Sequence, residues 1–308
     1  MPMAYFRPKT NAEDFPTMKK TDAHNHPDWH GHDLSRFIEN MDKYGIEKTW
    51  LLSWECQAHE YSQSYRNVIP APLLGSGKGP IPFSRCISYK ERAPEHFILG
   101  YCPDPRLPGA CADLKAAHDI YGARVCGELK CRMMYDSPDA LRLMRLAGEL
   151  GMPVIFHLEY DRQEKHTDPW GEWWGGTIET VERMLNACPD TVFLGHAPGF
   201  WIHISKDDLW KHAGYPPENA KVVEGGKVPE LLRKYPNLHC DISAGSGLNA
   251  LKRDPAFAKE FLMEFQDRVV YARDYFDNAH QDFIDTLGLP SKILATIYHE
   301  NAARLIKE

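Results

Sequence analysis

Eight short apolar runs, separated by stretches with helical periodicity, constrain this chain more than any other feature. They lie at 20–26, 47–54, 96–102, 123–131, 152–159, 190–197, 238–244 and 268–274. Runs such as "EKTWLLSW", "MPVIFHLE" and "DTVFLGHA" are apolar almost without alternation. That marks strands buried on both faces. Between them, "HDLSRFIENMDKYG" (32–45) ends at Gly45, a residue suited to the left-handed position after a helix. The segment 137–151 opens with Ser137 as N-cap and Pro138 in the first turn. Segments 175–189, 227–236 and 254–265 supply later helices. The alternation predicts an α/β fold, a single (β/α)8 TIM barrel with residues 1–308 as one domain. A doubly wound sheet is the competing architecture, but no Gly-rich phosphate loop follows the first run.

Three predicted connections are long: 55–95, 160–175 and 198–226. All follow the C-terminal end of a predicted strand. In a barrel they share the face that carries the active site, and are expected to wall or cover it. A net charge of −7 argues against a nucleic-acid or anionic-membrane partner. No apolar run approaches the roughly 20 residues of a membrane span, and the first residues lack the apolar middle of a signal peptide. The eight cysteines are scattered with no C-x-x-C pair. They are expected to be reduced thiols of a cytoplasmic protein.

Fifteen histidines are many for 308 residues, and their placement is informative. In "TDAHNHPDWHGH" (21–32), His24 and His26 stand two apart at the end of the first run, so both project to one side. Alone, H-x-H is a weak signal. His157 ends the fifth run, His196 the sixth and Asp274 the eighth. Any one of these reads equally well as a satisfied core residue. Five at the matching ends of four strands read better as a shared site at one barrel mouth. Nitrogen and oxygen donors of this kind suit Zn²⁺ first, with Mn²⁺ or Fe²⁺ as alternatives.

With "DAHNH" at the first run, "HL" at the fifth, "GHAPG" at the sixth, "RDY" at the eighth and a terminal "HENAARLI" (299–306), the chain resembles the amidohydrolase superfamily over essentially its whole length. It is most similar to the amidohydrolase-related branch, which holds hydrolases and nonoxidative decarboxylases such as aminocarboxymuconate-semialdehyde decarboxylase. The resemblance implies a divalent metal held at His24, His26, His157 and Asp274, with His196 catalytic or substrate-polarising. Water on such an ion loses its proton far more readily than bulk water. Asp274 would orient that water and shuttle its proton, and His196 would stabilise a developing oxyanion.

Glu128 and Lys130 in "CGELKCRMM" share a strand face. Some superfamily members bridge two metals with a carboxylated lysine, and others use a glutamate at a comparable place. Glu128 is therefore a further candidate ligand, and the centre holds one or two ions. Lys130, Ser243 and Trp174 are candidate substrate contacts alongside His196. A buried ion pair is the plain alternative for Glu128 and Lys130. Tight loop geometry is the alternative for Ser243 and for Asp241 on its face, and packing of the lid for Trp170, Trp173 and Trp174. Arg162, Lys165 and His166 either meet an anionic substrate or sit in a solvated loop. His30 and His32 lie in the loop entering the first helix, where at most one is expected to touch substrate; His203 and His212 are expected to be loop histidines, and "GSGKG" (75–79) lacks P-loop spacing.

These features predict a metal-dependent hydrolase acting on a small-molecule amide, ester or lactone, with a homodimer as the default assembly. A decarboxylase of an aromatic or unsaturated acid is the alternative, although no cationic clamp for a carboxylate stands out. A TatD-like phosphodiesterase and a non-catalytic metal-binding barrel rank lower.

Overall fold

A computed structural model describes residues 18–60, 65, 68–69, 79–159, 173–207, 209 and 215–307. Eight strands run parallel: β1 (Lys20–Asn25), β2 (Ile46–Leu52), β5 (Phe97–Gly100), β6 (Cys126–Leu129), β7 (Val154–His157), β8 (Phe193–His196), β9 (Leu238–Asp241) and β10 (Val269–Val270). They form two partial sheets, β1-β2-β5 and β6-β7-β8-β9-β10. A parallel bridge between Gly100 and Val125 joins one pair of edges. The other pair is joined by the Ala23 N–H to the Tyr271 carbonyl (3.1 Å) and the Asp274 N–H to the His24 carbonyl (2.8 Å). The strands therefore follow one another around a TIM barrel.

Every predicted run contains a strand, most of them shorter than the run, and for two the reason for the early end is plain. β9 stops at Asp241 because a helix begins at Ala244. β10 spans two residues because the next N–H groups bond elsewhere: Tyr271 to the Ile297 carbonyl, Asp274 to that of His24. Helix ends match their local signals. Gly45 has φ 64° after the helix Leu34–Tyr44, and the Ser137 side chain accepts the Ala140 N–H. Thr177 forms a capping box with Thr180. The connection 55–95 is not merely a loop. At its start β3 (Trp54–Cys56) pairs antiparallel with β4 (Gly79–Ile81), and a helix covers Phe83–Arg92.

A large apolar cluster fills the space between strands and outer helices. A smaller one, including Ile155, Leu194, Val270 and Ala272, occupies the barrel interior. These residues sit two or four positions before His157, His196 and Asp274, on the same strand faces. The polar mouth thus rests on an apolar floor. At the opposite end, Asn301 in the terminal helix donates to the Gln266 and Val269 carbonyls (2.7 Å each) and closes the barrel base. All eight cysteines are free. Among the described residues, no helix is long and apolar enough to cross a membrane.

Candidate metal centre

The C-terminal ends of β1, β6, β7, β8 and β10 converge. His24, His26, Glu128, His157 and His196 are each at most 5% exposed. Among the described residues, three groups have ligand atoms mutually within 4.8 Å: His24–His26–Glu128, His24–His196–Asp274 and Glu128–His157–His196. Glu128 spans the cluster. Its Oε2 faces His26 Nε2 at 3.4 Å and His24 Nε2 at 3.9 Å. Its Oε1 faces His157 Nδ1 at 2.7 Å and His196 Nε2 at 3.7 Å. Asp274 Oδ1 lies 3.7 Å from His26 Nε2. A φ of 53° turns Asp274 out of strand geometry as its N–H meets the His24 carbonyl. Aspartate tolerates this left-handed conformation better than most residues.

The donor set fits a divalent cation. His26 Nδ1 lies 2.9 Å from the Leu52 carbonyl, which can only accept, so Nδ1 carries a proton and the neutral ring has Nε2 bare. Among the described residues, His24 Nε2 and Asp274 Oδ1 are buried without a hydrogen-bond partner. Such atoms cost about 1–3 kcal/mol each unless something satisfies them. Burial alone would raise the Glu128 carboxyl, but Lys130, His157 and His26 outweigh it and hold it well below the usual carboxylate range. His157 is the exception to a simple ligand picture. Its ring lies between Glu128 and Glu159, with Nε2 3.0 Å from Glu159 Oε2. Binding an ion through either nitrogen displaces one of these carboxylates.

Above the cluster opens a cavity of about 500 Å³, walled by Trp29, Trp54, Tyr65, Tyr215 and Tyr275 and floored by the histidines. Lys130 lines it. Its Nζ lies 4.3 Å from the Trp54 ring centre and 4.2 Å from that of Tyr65, and donates to Tyr65 Oη at 2.6 Å. Lys130 thus faces an aromatic wall, and Glu128 alone of the pair joins the histidines.

Two predicted substrate contacts are corrected. Trp174 is fully buried, pairs with Glu159 across an antiparallel bridge, and sits behind Lys130 and against His157. Its indole packs the wall and has no face toward a ligand. Ser243 is also fully buried, donating to Asp241 Oδ1 at 2.6 Å beside His196 Nδ1 at 2.9 Å. It braces His196 from behind. His30 stacks on Tyr275 and His32 on Phe276, outside the cluster. Trp170, Arg162, Lys165, His166, His212 and most of "GSGKG" lie outside the described residues.

Sequence reasoning gave Asp241 and Glu159 no site role. Asp241 joins His24 Nδ1 (2.8 Å) to His196 Nδ1 (3.0 Å). Its signal was present, two positions before Ser243 on the same strand face. Glu159 stands two positions after His157, the same spacing that joined His24 to His26.

An amidohydrolase family model, Amidohydro_2, matches residues 102–307. The chain belongs to that family. This amidohydrolase is therefore an enzyme of the superfamily that its motifs resembled. No curated protein sequence matches it. Solved structures share the fold at low identity. A candidate 2-pyrone-4,6-dicarboxylic acid hydrolase from Pseudomonas putida aligns with TM-score 0.60 and 14% identity, over 94% of this chain and 97% of its own. The 5-carboxyvanillate decarboxylase of Sphingomonas paucimobilis gives 0.59 and 13%, over 94% and 99%. A dihydroxybenzoic acid decarboxylase from a Polaromonas species, with bound manganese and 2-nitroresorcinol, gives 0.56 and 16%, over 93% and 96%.

Proposed function

We propose that this amidohydrolase is a metal-dependent hydrolase of a small carbonyl compound (an amide, ester or lactone), with the whole chain 1–308 as one catalytic unit. The observation that carries the reading is the convergence of His24 Nε2, His26 Nε2, Glu128 Oε2 and Asp274 Oδ1, two of them without a partner among the described residues. These four would hold the first ion, for which zinc is the proposed identity. Glu128 Oε1, His157 and His196 would hold a second if one binds. A divalent ion there supplies Lewis acidity and a readily deprotonated water.

The side chains divide the remaining work. Asp274, on the cavity wall, receives a proton at its carboxylate and returns it to the leaving group. The aromatic wall orients a planar substrate and excludes water from one side. Lys130, on the cavity wall, anchors an anionic oxygen of the substrate.

Decarboxylation of an aromatic or unsaturated acid is the second reading, and Lys130 is the observation that favours it. A buried ammonium on an aromatic cavity wall is a suitable partner for a carboxylate. The decarboxylases of similar fold, one with manganese, agree with it.

The test is elemental analysis of purified protein beside His24→Ala/His26→Ala, followed by a screen of lactones, esters and amides against aromatic acids. One or more ions per chain, lost in the double variant, with turnover in the first group, supports the hydrolase. Carbon dioxide release from the second group replaces it with the decarboxylase. A protein that takes up no divalent metal overturns both.

A further inference from the structure

Asp241 is fully buried at the end of β9, and its two oxygens serve two different histidines. Oδ2 lies 2.8 Å from His24 Nδ1. Oδ1 lies 3.0 Å from His196 Nδ1 and also accepts the Ser243 hydroxyl (2.6 Å) and the Ser243 N–H (3.1 Å). The Ser243 N–H can only donate, so Oδ1 is an acceptor toward it, and the Ser243 hydroxyl donates to the same oxygen. An ionised carboxylate can only accept, so both Nδ1 atoms must donate. The Ser243 contact agrees. Its single proton goes to Asp241, which leaves its oxygen to accept from His196 Nδ1, 2.9 Å away.

We infer that Asp241 is the positioning residue that fixes both His24 and His196 with bare ε nitrogens turned toward the metal centre, so that His196 serves as a lone-pair donor. This assigns His196 a different role from the oxyanion-stabilising one that its family resemblance implied, because that role needs an N–H at Nε2. A bare Nε2 makes His196 a ligand or a base. One carboxylate also ties the first candidate ligand set, through His24, to the second, through His196. Glu128 spans the same two sets from the other side. Partners of this kind set the tautomer, ring orientation and basicity of a metal-ligating histidine, and their loss typically costs 10–100-fold in metal affinity.

The consequence for metal binding rests on the proposed metal centre, whereas the tautomer assignment does not. The experiment therefore reads both. Long-range ¹H–¹⁵N spectra of ¹⁵N-histidine protein, chelator-treated and held near pH 9 so that ordinary imidazoles are neutral, report which nitrogen carries each proton. His24→Gln and His196→Gln identify the signals. Both rings are expected as Nδ1–H tautomers in the unsubstituted protein. In Asp241→Asn the amide offers one acceptor oxygen and one donor nitrogen, so at least one ring is expected to switch to Nε2–H. Zinc affinity, measured by competition with a chromogenic chelator, is expected to fall about 10–100-fold. An Nε2–H tautomer for either ring in the unsubstituted protein overturns the inference. So does an Asp241→Asn protein with unchanged tautomers and zinc affinity within about twofold. If that variant does not fold, the unsubstituted spectrum decides alone. A protein with both Nδ1–H rings that binds no zinc overturns the metal centre and leaves the assignment of Asp241 standing.

Discussion

Glu128 Oε1 lies 2.7 Å from His157 Nδ1, while the other oxygen of the same carboxylate faces His26. One side chain thus holds together histidines from β1 and β7, on opposite arcs of the barrel. Glu128→Gln keeps the shape and removes the charge. Metal affinity is expected to drop by at least about 100-fold, read as ions per chain after dialysis. Retention of the full metal complement would show that Glu128 is only a counter-charge to Lys130.

Lys130 is expected to act on substrate and leave metal uptake intact. A charge-assisted hydrogen bond is worth about 1.5–3 kcal/mol, or roughly 10–100-fold in affinity. Lys130→Met keeps the apolar stem among Trp54, Tyr65 and Trp174. KM for an anionic substrate should rise by about that factor with ions per chain unchanged, and KM for a neutral analogue should stay within about threefold. Equal effects on both substrates would mean that the substitution disturbs the wall itself.

Loading the protein with zinc should stabilise it against heat. At a free ion concentration 100 times Kd, binding to the folded state alone contributes about 2.7 kcal/mol, roughly 4 °C in Tm for a chain of this length. His24→Ala/His26→Ala should lose the shift. A shift of the same size in that variant would place the responsible ion elsewhere.

How much of this was legible in the sequence depends on the kind of signal. The strand-end residues His24, His26, His157, His196 and Asp274 were readable because two-residue periodicity and strand polarity together dictate where such groups emerge. Glu128 was readable as a candidate ligand, but its contact with both histidine sets depends on barrel curvature, which strand periodicity does not show. Asp241 and Ser243 were seen to share a face, but which way they served was not visible. A carboxylate that braces two histidines and one that meets substrate have the same sequence pattern, and only burial separates them. Trp174 misled for the same reason. An aromatic in a long loop reads as exposed until the bridge to Glu159 tucks it under. The hairpin β3–β4 was hidden by the prolines and glycines of its connection, which read as loop.

At the other end of the barrel, His239 sets a pH dependence of stability. It is 6% exposed, and burial first, then Arg268 and Arg304, lower it to about 4 from the ordinary imidazole value. The folded-state value lies below the unfolded one. Between roughly pH 6.5 and 4 the unfolded chain therefore binds the additional proton. Stability is fully present above that window and is lost as pH falls through it, by up to about 3 kcal/mol at 1.36 kcal/mol per pH unit. His239→Gln cannot titrate. In chelator, urea unfolding of the unsubstituted protein should lose about 3 kcal/mol more between pH 7.5 and 4 than unfolding of the variant does. Parallel losses in the two proteins would show that His239 is already protonated, or already solvated, in the folded state.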